Sequence, residues 1–103
     1  MNSDDLQKAL YFQISELSQN LMLVGYESNS SRISHGNGDM SFRGFSGSVL
    51  VTKQGELTVS EKGVVLFSSK QAQVGVDQGL IDRLKRINQE LMDIYEQQVL
   101  SGD

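Results

Sequence analysis

The sequence predicts an α+β fold: an N-terminal helix, an antiparallel meander of three to four strands, and a long C-terminal helix, with the helices covering the sheet. Three observations carry that expectation. Apolar residues recur at spacings of four and three near both ends of the chain, the period of an amphipathic helix. Between those ends the apolar residues alternate, the period of a strand. Glycines at Gln54-Gly55 and at Glu61-Lys62-Gly63 fall where tight turns would join such strands.

The first helix is expected over residues 4–24. Ser3 is a candidate N-cap, and Asp4 and Asp5 favour the positive end of the helix dipole. Leu10, Ile14, Leu17, Leu21 and Val24 form one seam, and Gly25 is the expected stop. Ala9, Tyr11, Phe12, Met22 and Leu23 lie off that seam, so the apolar arc is wider than one packing partner requires.

Residues 26–38, rich in Ser, Gly and Asn, read as a loop. Strands are expected over about 39–45, 48–53, 56–60 and 64–68. Met40 and Phe42 would share one side of the first, and Leu57 and Val59 one side of the third. The run Val64 to Phe67 is apolar at every position, which predicts a central strand or one covered on both faces.

The second helix is expected over residues 77–100, with Asp77 as N-cap and a seam of Leu80, Leu84, Ile87, Leu91 and Ile94. Asp82 with Arg86, and Arg86 with Glu90, are spaced as i,i+4 ion pairs. Ile81, Met92, Tyr95, Val99 and Leu100 widen its apolar arc beyond the seam. The chain contains no proline, so neither helix is kinked by that route.

At 103 residues the chain fits one domain with a modest core. A net charge of −4 argues against nucleic acid, which calls for clustered Lys and Arg. The absence of cysteine removes disulfides, thiolate catalysis and thiolate metal sites. One histidine and scattered carboxylates give no metal-ligand pattern. No signal peptide or membrane span is expected, and a cytoplasmic setting follows as the expectation.

Candidate chemistry is sparse. Arg32, His35 and Arg43 could converge on an anion, with Gly36, Gly38 and Gly44 allowing backbone N–H groups to approach it. The "GNGDMS" stretch lacks the third glycine of a dinucleotide fingerprint and precedes a strand rather than a helix. "GFSG" is one residue short of a nucleophile elbow, and His35 has no evident partner for base catalysis. "RLKR", residues 83–86, is the densest basic stretch, but Asp82, Glu90 and Asp93 flank it, as on a solvated helix face.

The features therefore favour a small non-enzymatic interaction protein without a cofactor. It would be oligomeric, most simply a symmetric dimer, and would bind and modulate a protein partner as an inhibitor, adaptor or chaperone does. Tyr11, Phe12, Met92 and Tyr95 are the expected interface residues, since aromatics and Met are enriched where interfaces anchor. The alternative is a module holding an anionic metabolite or nucleotide at the 30–45 loop through Arg32, His35 and Arg43.

Overall fold

The computed structural model describes residues 3–27, 32–42, 46–70 and 76–101. Its element order is α1 (Ser3–Glu27), β1 (Arg32–Ser34), β2 (Met40–Phe42), β3 (Gly47–Val51), β4 (Leu57–Glu61), β5 (Val64–Ser68) and α2 (Gln78–Ser101). The strands pair antiparallel in chain order, β1-β2-β3-β4-β5. Both helices lie on one side of this sheet, which makes the α+β architecture two layers deep.

The core fills the space between the layers. Leu10, Leu17, Leu21 and Val24 of α1 meet Ile81, Leu84, Ile87 and Leu91 of α2 over Phe42, Val49, Leu57, Val59, Leu66 and Phe67 of the sheet. Both seams read from the periodicity point inward, with Ile14, Leu80 and Ile94 half-buried at their edges. Ile81 is fully buried although it lies off the expected seam. The reason is that α2 touches both the sheet and α1, so its buried arc exceeds a single stripe.

The turns follow their glycines. In the β1–β2 hairpin the Gly38 N–H donates to the His35 carbonyl at 3.1 Å, and the His35 N–H donates to the Asp39 carbonyl at 2.9 Å. The β3–β4 hairpin repeats this pattern with Gly55, Thr52 and Glu56. Each closes through a glycine in the left-handed region, Gly38 at φ 94° and Gly55 at φ 85°. The β4–β5 turn is tighter, with Lys62 at φ 52° and Gly63 at φ 80°, the two positive values of a type I′ turn.

Four expectations are corrected. Residues 26–38 are not all loop, because Arg32–Ser34 pairs with β2 and makes the sheet five-stranded rather than three- or four-stranded. Helix α1 does not stop at Gly25 but runs to Glu27. A glycine permits a left-handed cap without imposing one, and inside a helix it costs only about 1 kcal/mol. The strand of Val64 to Phe67 is neither central nor doubly covered; it is the last strand of the sheet, and Val64 and Val65 are exposed. A β-bulge against Val59 and Ser60 makes Leu66 an extra residue, so Leu66 and Phe67 are both buried and the simple alternation is lost. The i,i+4 pairs of α2 form no direct ion pair, although the Glu90 charge still acts on Arg86. Arg86 instead donates to Glu61 of β4 at 2.8 Å, Glu90 accepts from Ser46, and Asp82 accepts from Gln78.

Candidate interaction surface

The two helices differ on the side turned away from the core. On α2 that side is Asp82, Lys85, Gln89, Asp93 and Glu96, a solvated face that turns apolar only in the last turn, where Leu100 is 79% and Val99 47% exposed. On α1 the same side carries Tyr11 and Phe12, each 60% exposed, Met22 at 74% and Leu23 at 41%. Ser15, Ser18 and Gln19 lie exposed between them. From residue 9 to residue 24 the helix holds one charge, Glu16. The inner seam cannot account for these side chains, because it is already filled by Leu10, Leu17, Leu21 and Val24.

Beside this face lies an apolar cleft of about 240 Å³, lined by Leu21 and Met22 of α1 and by Met40, Phe42, Val51 and Leu57 of the sheet. Met40 and Val51 in its floor are half-buried. Met22 belongs to both features, so the cleft continues the exposed face of α1.

The seam between the helices is polar at one level. Asn88 of α2 donates to the Gln13 carbonyl at 3.1 Å and to Gln13 Oε1 at 2.9 Å, while Asn20 donates to Asn88 Oδ1 at 3.0 Å. All three side chains are buried. They satisfy one another, and the pattern fixes how α1 registers against α2. Periodicity did not reveal this cluster. Its trace in the sequence is Gln13 and Asn20, seven residues apart on one flank of an apolar seam.

The expected interface residues divide. Tyr11 and Phe12 stand free on α1, whereas Met92 is half-buried at the groove between the helices and Tyr95 packs against the core. Of the anion-site residues, Arg32 stands opposite Phe42 in the β1–β2 register. Its side chain and all of Arg43 lie outside the described residues. His35 opens the hairpin turn, and its Nε2 shares a 2.6 Å hydrogen bond with the Ser41 hydroxyl. Gly38 has a local role in that turn, and a Cβ there would come within 3.1 Å of the Lys53 side chain.

The basic stretch of α2 spreads over three surroundings. Arg83 lines a cleft with Val64, Val65, Asp77 and Leu80, and Lys85 faces the groove that holds Glu16. Arg86 meets the buried Glu61 carboxylate, whose hydrogen bond, then its charge, raises the guanidinium pKa above its ordinary value against a smaller effect of burial. The sign follows: a raised base contributes stability at every pH below its unfolded pKa and loses it only in strong alkali, so this pair does not respond to Arg86 titration near neutrality. Among the described residues no group of three or more Asp, Glu or His side chains is placed to hold a metal ion, and no helix is long and apolar enough to cross a membrane. No protein-family model, curated protein or solved structure matches this chain.

Proposed function

We propose that this chain is a small non-enzymatic interaction protein that self-associates and binds a protein partner, modulating it as an inhibitor, adaptor or chaperone does. The observation that carries this reading is the outer face of α1. Tyr11, Phe12, Met22 and Leu23 remain in water there, while the equivalent side of α2 is charged or polar from Asp82 to Glu96 and apolar only at Leu100. Large uncharged side chains clustered on one helix are the composition of a contact surface, and their exposure contributes nothing to folding. The acidic balance of −4 favours a basic partner over an acidic one.

The test compares two surface variants as bait. Phe12→Lys with Leu23→Lys should abolish capture of the partner that the wild-type chain retains. Asp93→Lys with Glu96→Lys, on α2, should leave that capture intact. Equal capture by both variants overturns the reading. So does a phosphorylated small molecule released from the purified protein in native mass spectrometry, if its retention depends on Arg32 or Arg43.

A further inference from the structure

We infer that the outer face of α1 is an isologous contact, occupied by α1 of a second copy of this chain lying antiparallel to it. The inference rests on the interaction reading and names the occupant of its surface.

The warrant is the order of residues along the exposed face. Tyr11, Ser15, Ser18 and Met22 follow at spacings of four, three and four, which places them in one row along the helix. Phe12, Glu16, Gln19 and Leu23 form a second row with the same spacing. All eight side chains are exposed. Each row has a large apolar residue at either end and two small or polar residues in the middle. Reversing the helix direction therefore maps each row onto itself.

A two-fold axis needs that property. In an isologous contact, residue i of one copy meets j of the other, and j meets i. With the axis at the level of Leu17, midway between the centres of the two rows, Tyr11 falls against Met22 of the second copy, Ser15 against Ser18 and Phe12 against Leu23, each pair about 1.5 Å out of level. The serines sit where the helices cross and let the axes approach toward the short end of the 8–10 Å range. The aromatic ends close over the crossing, and Tyr11 gains a sulfur–ring contact. A parallel pairing would instead stack Tyr11 on Tyr11 and leave Met22 on Met22.

Each copy carries −4, so two copies repel over most of their surface. The row from Tyr11 to Met22 bears no charge, and the second row brings one carboxylate from each copy, Glu16, to the edge of the contact, where it opposes the pairing. The patch spans about 16 Å of helix, a small contact beside the specific interfaces that persist at any concentration. The dimer should accordingly depend on concentration.

The chain as a whole is tested by sedimentation over a wide concentration range. The wild type should form a dimer. Ser15→Glu alone and Ser18→Lys alone should each weaken it by about tenfold or more, since each sets like charges together at the crossing. The double variant Ser15→Glu/Ser18→Lys should dimerise again, because the antiparallel contact places each Glu opposite a Lys. An equimolar mixture of the two single variants should form a mixed dimer. Both positions are exposed, and circular dichroism checks that the fold is kept. Dimerisation unaffected by either single variant overturns the inference, as does a double variant that stays monomeric. A wild-type monomer at every concentration also overturns it. If Phe12→Lys with Leu23→Lys then still abolishes capture of a partner, partner binding by this face stands, and self-association falls together with the second-copy occupant.

Discussion

Asn88 shows how much one side chain can decide. It bonds Gln13 and Asn20 at once, so Asn88→Ala leaves two buried amides short of a partner. The expected cost is about 1–3 kcal/mol, read from the midpoint of urea unfolding. Glu61 is the second such case: its carboxylate is 8% exposed and meets Arg86 from the opposite layer. Arg86→Leu should lower the melting temperature, and Glu61→Leu added to it should restore most of the loss, because an unpaired buried carboxylate is worse than an apolar pair. Neither residue could be assigned its partner from the sequence. Arg86 has acidic residues four positions away on both sides, and local spacing favoured them over a glutamate 25 residues distant. The amide cluster was hidden for a related reason: seam reading counts apolar positions and passes over polar ones lying among them.

The hairpins illustrate where elements are legible and where they are not. Gly55 and Gly63 mark turns in the sequence and close them in the structure through positive φ. Lys62 shares the left-handed region without a glycine's freedom, so Lys62→Asn should raise stability by up to about 1 kcal/mol in thermal or chemical unfolding. Gly63→Ala should lower it by about as much. Strand β1 was not legible. Three residues, Arg-Ile-Ser, are too few to show a period, and the strand forms because β2 stands ready to pair with it. The edge position of β5 is not legible because a bulge breaks the alternation that separates an edge from a centre. The end of α1 at Glu27 is not legible from Gly25, which permits a stop without imposing one.

At the scale of the molecule, helix, meander and helix were legible in order, since each element carries its own period. The side on which the helices lie was legible only in part. Periodicity gives each helix a buried stripe, but only the packing separates Tyr95, which touches the core, from Tyr11, which does not. That separation predicts a divergence between stability and assembly. Ser15→Glu and Phe12→Lys should change unfolding free energy by no more than about 0.5 kcal/mol at a concentration where the chain is monomeric, while altering size in solution. Tyr95→Ala should do the reverse, with a loss of stability visible in unfolding and no direct effect on the helix crossing.

The strands follow one another in the sheet as they do in the chain, and this has a consequence in time. Every strand pairing closes over a short loop and can form as soon as its second partner exists. The seam between α1 and α2 must wait for the last quarter of the sequence. At about 5–20 residues per second of synthesis, a few seconds separate the making of Ser68 from that of Ser101. Until α2 exists, the α1 core residues Leu10, Leu17, Leu21 and Val24 lack the partners Ile81, Leu84, Ile87 and Leu91. A chain arrested before α2 should therefore be cut by protease within α1, and the same cuts should vanish once α2 has docked.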